Sequence, residues 1–394
     1  MDGSTTTASI AALYQRSLDA LASVRSRGHE AAPELRQAPR FSITRTADLA
    51  GRSPATIREA EKEGRLPAVE RTTTGRRIGY TLAEINQMRD VFGTRPWRAP
   101  EDPVAVIAVQ NFKGGVGKST VSTHLAQYLA IQGYRVCLID CDSQGSTTAL
   151  FGYVPDLDID EATTLYPFIR NLEMGSMGYA LRPTHWDGLY LVPANLQLYS
   201  AEYELAAQVA RNGPQLLNRL ADGIATIAEH FDVVVLDPPP ALGTISLSVM
   251  RAANALIIPI PPTLVDFAST TSFFAMLYET IMTLEENGLP IHLNWLRLLA
   301  TRADEQKSMH RELMTLMRSL FGDLLLRGTV KDSAEIDNAS ARLMTVYELD
   351  GPVTSRETYN RCMTYLNGVN AEVETLIRLT WPSHVERLRT AGVL

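Results

Sequence analysis

Cysteine is scarce in this chain: Cys137, Cys141 and Cys362 are the only three in 394 residues. So odd and sparse a set builds no disulfide framework and points to a reducing cytoplasm. Cys137 and Cys141 lie four apart, but in an apolar run with no third ligand near, which argues against a metal site. The seven histidines are scattered and form no ligand pair. No apolar stretch approaches the ~20 residues of a spanning helix. The longest, around Ala252 to Ile260, is broken by Asn254 and Pro259. The opening residues MDGSTTTASIAALYQRS carry no basic segment ahead of an apolar core, so no secretory signal is expected. Internal repeats and low-complexity tracts are missing too. Neither charge sign dominates: 37 Lys and Arg against 44 Asp and Glu leave a net charge of −7. That excludes a polycation wrapped along its whole length on nucleic acid, but not a local basic patch.

What is present is the composition of a folded protein, 45% hydrophobic and 21% charged, in a chain too long for one typical compact domain. Four parts are expected. Residues 1–40 read as a helical arm. Ile10, Leu13, Leu18 and Leu21 recur at helical spacing before a break at Pro33 and Pro39. The arm is either a dimerisation or packing helix, or a frayed tail. Residues 41–92 form a small unit. A short helical entry from Phe41 meets the turn Gly51-Arg-Ser-Pro, where Ser53 suits an N-cap and Pro54 the first helical position. A helix from Ala55 stops at Gly64. A basic hairpin, Arg71 to Tyr80, turns at Gly75, and another helix runs from Thr81 to Val91. Two helices across a glycine turn, then a hairpin and a helix, resemble a winged helix-turn-helix of the MerR sort. Nine Arg and Lys oppose seven Asp and Glu between Phe41 and Asp90, a surplus of two in an otherwise acidic chain. Thr56 and Arg58 on the second helix, with Arg71, Arg76 and Arg77 on the wing, are the candidate DNA contacts. A small helical protein-binding module is the competing reading.

Residues 93–103 are Pro-rich and read as a linker. From 104 to 394 apolar runs alternate with helical stretches: Val104–Val109, Arg135–Asp140, Leu189–Val192, Val233–Leu236, Ala255–Ile260 and Leu296–Ala300. Such alternation predicts an α/β unit with a doubly wound, mostly parallel sheet.

Within it, Lys113-Gly114-Gly115-Val116-Gly117-Lys118-Ser119-Thr120 follows the first strand and opens a helix, Val121–Ala130. Glycines let backbone N–H groups turn inward around phosphates, and the helix N-terminus adds partial positive charge. Lys118 answers the β- and γ-phosphates, and the Ser119 hydroxyl completes a Mg²⁺ site. The expected ligands are therefore ATP and Mg²⁺. Two strands then end in carboxylates. Arg135-Val-Cys-Leu-Ile-Asp140-Cys-Asp142-Ser-Gln144-Gly145 is one, and Phe231-Asp-Val-Val-Val-Leu-Asp237-Pro-Pro-Pro is the other. Parallel strands deliver ligand-binding groups at their C-terminal ends. Carboxylates there can hold Mg²⁺ and orient an attacking water.

The second lysine ahead of the loop makes KGGVGKST resemble the deviant Walker A motif of the ParA/MinD family of P-loop ATPases. The resemblance covers Val104 to about the C-terminus. It implies that Lys113 reaches the partner's nucleotide across a homodimer. Asp142 is then the hydrolysis residue, with Asp140 supporting it, and Asp237 holds the Mg²⁺ shell. Ser143 stands where the family usually has proline. The strand Ala255–Ile260 leads into Pro262 and Asp266, which match the family's nucleotide-base loop. Thr301 and Arg302, after the next strand, border the base. Lys331 and Arg342 flank a segment where the family carries a strand and a DNA-facing loop, and are candidates for phosphate-backbone contacts. With the N-terminal unit, the layout resembles large plasmid partition ATPases, the RepA group of repABC replicons among them. In that group the protein represses its own operon, and a ParB-like centromere-binding partner stimulates hydrolysis. These are cytoplasmic, nucleoid-associated proteins.

Three other functions compete. A MinD-like positioning ATPase needs a terminal amphipathic basic helix, and the end Thr380 to Leu394 is short and holds Pro382. A nitrogenase-like iron–sulfur reductase needs cysteines beyond the loop, whereas Cys137 and Cys141 lie on a strand. A repressor that only senses nucleotide would show no turnover.

Overall fold

The computed structural model describes residues 6–27, 36–37, 39–390 and 392, with side chains outside 21–27. Pro33 and the Leu21 side chain fall outside that set. Eight strands form one sheet in the order β3-β4-β2-β5-β1-β6-β7-β8. They are β1 Ala105–Val109, β2 Val136–Asp140, β3 Arg182–Pro183, β4 Leu189–Val192, β5 Val233–Asp237, β6 Ala255–Ile260, β7 Trp295–Ala303 and β8 Leu325–Lys331. Every pairing is parallel except β3 with β4. The central strands β1, β2, β5 and β6 are buried at every position, which is why they read as unbroken apolar runs. Ala105, Ile107 and Val109 face one core cluster and Val106 and Ala108 the other, so helices cover both faces. One face carries α5 (Lys118–Gln132) and the helix Arg356–Leu379. The other carries the helices Leu198–Asn212, Thr244–Ala252, Leu264–Glu286 and Ser308–Phe321.

The six expected strands are all present, with two additions and one extension. β3 is two residues long and contains a proline, so no pattern announces it. β8 is an edge strand, only partly buried, and its sequence lacks a continuous apolar run. β7 continues past Ala300, so Thr301 and Arg302 lie in its last residues and not after it. There the register with β8 shifts, and Arg302 takes a left-handed φ of 52°. The segment expected as a loop after Lys331 contains a helix, Ala334–Ser340. Ser333 caps it by accepting from the Glu335 amide.

Ahead of the sheet stand α1 (Thr6–Arg27), α2 (Ile43–Ala50), α3 (Pro54–Lys62) and α4 (Leu82–Phe92). Ser53 caps α3 with Pro54 in its first turn, and Thr81 forms a capping box with Glu84 on α4. On α1, Ile10 and Leu13 are exposed. The hairpin expected over Arg71–Tyr80 reduces to one antiparallel bridge, Arg71 with Arg77, while Tyr80 bridges back to Phe41. Gly75 makes the turn, but Gly79, also at positive φ, interrupts the returning segment, and too few residues pair for a ladder.

The 41–92 segment shares its core with the sheet unit. Ala47, Ile57, Leu82, Ile85 and Met88 belong to the same apolar cluster as Leu125 and Leu129 of α5. The buried Arg89 guanidinium donates to the Leu49 and Ile131 carbonyls at 3.1 and 2.7 Å, which lie at the C-terminal ends of α2 and α5. The expected linker is tied down as well. Trp97 Nε1 donates to the Gly133 carbonyl, and Arg98 donates to the Phe231 and Ala228 carbonyls.

Candidate functional site

The loop between β1 and α5 stands over the C-terminal edge of the sheet. Gly117 precedes Lys118 at φ 94°, a left-handed conformation that side chains rarely adopt. The end of β7 braces this loop from the side. Thr301 Oγ1 donates to the Val116 carbonyl at 2.8 Å, and Arg302 Nη1 donates to the Gly115 carbonyl at 3.0 Å. With those carbonyls held outward, the loop's N–H groups and the first turn of α5 are left to face an anion. A cavity of about 480 Å³ opens there. Gly114, Gly115, Gly117, Lys118, Ser119, Thr120, Asp142, Thr301 and Arg302 line it, all of them expected site residues. Gln144, Pro240, Lys331 and the face of Ala334–Ser340 that carries Ile336, Asp337 and Ser340 also line it.

Beneath the cavity the register of β2 and β5 sets Asp140 beside Asp237. Both are fully buried. Burial pushes the Asp140 carboxyl well above its usual range, and the neighbouring Asp237 adds to that. Burial raises Asp237 to about 6, opposed by hydrogen bonds from Ser119 and Thr147 and by the charge of Lys118. Lys118 Nζ lies 3.2 Å from the Lys113 carbonyl, and burial lowers its pKa against the pull of Asp237 and Asp142. Asp140 accepts three hydrogen bonds: Oδ1 accepts from the Asp142 amide at 3.1 Å, and Oδ2 accepts from the Thr148 amide and hydroxyl at 2.8 and 2.7 Å. It anchors the turn that presents Asp142, and like Asp237 it lies beneath the cavity and does not line it. Asp237 accepts from Thr147 Oγ1 at 2.8 Å. Two adjoining buried carboxyls with raised pKa values are short of positive charge. Ser119 and Asp237 supply the hard oxygens that Mg²⁺ takes beside phosphate, so the residues fit that ion.

Other expected residues are placed differently. Lys113 does not line the cavity; its Nζ pairs with Asp266 Oδ1 at 2.6 Å. Asp266 also accepts from Thr263, the N-cap of Leu264–Glu286, so it closes that helix start. Pro262 is buried and does not line the cavity either. Lys331 lies on the cavity wall, paired with Glu305 at 2.6 Å and 3.7 Å above the Tyr365 ring. Arg342 is exposed just beyond Ala334–Ser340. In the 41–92 segment Arg58, Arg71 and Arg76 are exposed. Thr56 is half-buried, its hydroxyl against Ser53. Arg77 is committed internally, to Glu61 at 2.8 Å and to the Tyr80 hydroxyl at 2.7 Å. Cys137 and Cys141 are buried, and no group of three metal-ligating side chains occurs among the described residues.

Sequence reasoning missed the threonines that hold the two buried aspartates. Thr147 and Thr148 carry no local signal, because they meet the aspartates only through folding. Gln144 stood in the motif string already read and could have been named.

A family model described as an AAA domain matches residues 104–290. A putative replication protein A of Sinorhizobium fredii is 33% identical over 354 residues, 86% of this chain and 86% of that protein. Protein SopA of Escherichia coli is 39% identical over 326 residues, 80% of this chain and 82% of SopA. A solved structure described as a partition protein superposes with a TM-score of 0.66 at 19% identity, over 94% of this chain and 98% of that one, and supports the fold.

Proposed function

This chain belongs to the ParA-type family of deviant Walker A ATPases, and from that premise we propose that it is a plasmid or chromosome partition ATPase. It binds ATP with Mg²⁺, closes into a homodimer that holds DNA without sequence preference, and releases it on hydrolysis. One observation carries the reading: the glycine loop, Lys118, Ser119 and Asp142 line a single cavity directly above the buried Asp237.

The loop amides and Lys118 hold the β- and γ-phosphates. Ser119 and Asp237 hold Mg²⁺, which when bound neutralises charge on the phosphate oxygens. Asp142, kept in place by Asp140, orients the attacking water. Thr301 and Arg302 fix the loop carbonyls. Lys113 leaves Asp266 and reaches the partner's phosphates when two protomers close. Gly114, Gly115, Val116 and Thr120 complete the cradle through their backbone.

A ParB-like partner stimulates hydrolysis, and the 41–92 segment, as a winged helix-turn-helix, represses the chain's own operon through Thr56, Arg58, Arg71 and Arg76. The protein works in the cytoplasm on the nucleoid. No described helix is long and apolar enough to cross a membrane. The deciding experiment is binding to operator and random duplexes under ATP, ADP and no nucleotide, with phosphate release followed in parallel. ATP-specific retention on random DNA with turnover supports the proposal. Retention and oligomeric state identical under ATP and ADP overturn it. DNA binding with no turnover leaves a nucleotide-sensing repressor.

A further inference from the structure

The strand β5 leaves the sheet at Asp237 and continues as Pro238-Pro239-Pro240-Ala241-Leu242-Gly243 before the helix Thr244–Ala252 begins. Pro240 lines the phosphate cavity. Three consecutive prolines have fixed φ, so this stretch is a stiff strut and not a slack loop. One end of the strut is set by the buried Asp237. The other end is set by a side chain from elsewhere. Glu202, on the helix Leu198–Asn212, accepts from the Thr244 amide through Oε1 and from the Ile245 amide at 3.0 Å through Oε2. A carboxylate from a separate element thus caps the helix start. Gly243 makes room for it: a Cβ there would stand 2.6 Å from the Glu202 carboxyl carbon. Glu202 is itself held by a helix that buries Leu198, Ala201 and Leu205 in the core. Ser246 Oγ donates to the Ala241 carbonyl at 2.5 Å and tightens the same turn.

We infer that Glu202 is a positioning residue for ATP hydrolysis. It clamps the far end of the proline strut, so Asp237 and Pro240 keep their places at the cavity. Nucleotide binding rests chiefly on the loop and α5, which Glu202 does not touch. Loss of the clamp therefore falls far more on the rate of the chemical step than on the hold on ATP. The inference rests on the ATPase reading above.

The test compares the full-length wild type with Glu202→Ala, Glu202→Gln and Gly243→Ala, measuring kcat, KM for ATP and thermal stability. In Glu202→Ala, kcat falls on the order of tenfold to a hundredfold, as expected for displaced groups, while KM stays nearly constant. Glu202→Gln keeps one acceptor oxygen but turns an NH₂ toward the other backbone N–H, so it recovers only part of the rate. Gly243→Ala reproduces the loss from the opposite side of the contact, and it carries the test should Glu202→Ala fail to fold. A folded Glu202→Ala with wild-type kcat, or lowered stability with kcat intact in both alanine variants, overturns the inference alone. A wild type that never turns ATP over sinks the ATPase reading, and this one with it.

Discussion

At the scale of single residues, Lys118 and Asp142 divide the work at the cavity. Lys118 is buried under the loop and faces Asp237 and Asp142 through charge. Lys118→Ala is expected to weaken binding of a fluorescent ATP analogue and to cut turnover on the order of 100- to 1,000-fold. Asp142→Ala is expected to leave that binding within a few-fold and to lower turnover on the order of 100- to 10,000-fold. Both are read from one titration and one phosphate-release assay. His124 makes a different prediction. Its Nδ1 donates to the Thr120 carbonyl at 2.7 Å, and its Nε2 accepts from the Val346 amide at 3.4 Å. Burial lowers its pKa from 6.5 to about 4. The unfolded chain therefore binds this proton more readily than the folded one. The neutral ring's contribution is fully present above pH 6.5 and is lost as pH falls toward 4, by up to about 3 kcal/mol. Melting curves across pH 7.5 to 4.5 check this: His124→Gln should lose part of the wild type's acid sensitivity.

At the scale of elements, α5 is secured at both ends, and only one end carries the phosphate loop. Its C-terminal carbonyls meet Arg89 and Trp97 from the 41–103 region. Burial lowers the pKa of Arg89 to about 10, and the guanidinium answers the partial negative charge at two helix ends through direct hydrogen bonds, with Glu374 acting on it through charge. Arg89→Met strands the Leu49 and Ile131 carbonyls and is expected to cost about 1–3 kcal/mol. Protease nicking confined to the 41–92 segment, ahead of global melting, would mark the loss. How much of these elements the amino-acid pattern reveals depends on how locally each is determined. Ser53-Pro54 and Thr81-x-x-Glu84 mark helix starts because caps act within one turn. The apolar runs of β1, β2, β5 and β6 are legible because both faces are buried. β3 is short and proline-bearing, and β8 is half-exposed, so neither has such a run. The hairpin over 71–80 looked plausible because turn residues were present, yet a ladder needs cross-strand partners that this stretch lacks.

At the scale of the whole molecule, charge and assembly are the testable matters. Lys331 stands on the cavity wall and Arg342 on the open surface. Lys331→Ala is therefore expected to raise KM for ATP before it alters DNA affinity. Arg342→Ala should weaken binding to random duplex and reduce the salt slope by about one contact. Light scattering should find a dimer with ATP and Mg²⁺ that ADP does not sustain.

Taken by itself, the amino-acid order determined the parallel α/β sheet, the glycine loop between strand and helix, and which strands end in aspartate. These are local matters of periodicity, glycine conformation and strand ends, expressed within a few residues of chain. Only the tertiary structure decided what the aspartates touch. It tied Asp140 to Thr148 and the Asp142 amide, turned Lys113 toward Asp266, moved Lys331 to the cavity, and set Glu202 against Thr244 across forty-two positions of sequence. Such contacts depend on the register of non-adjacent strands and on the packing of distant helices, and no local pattern encodes either.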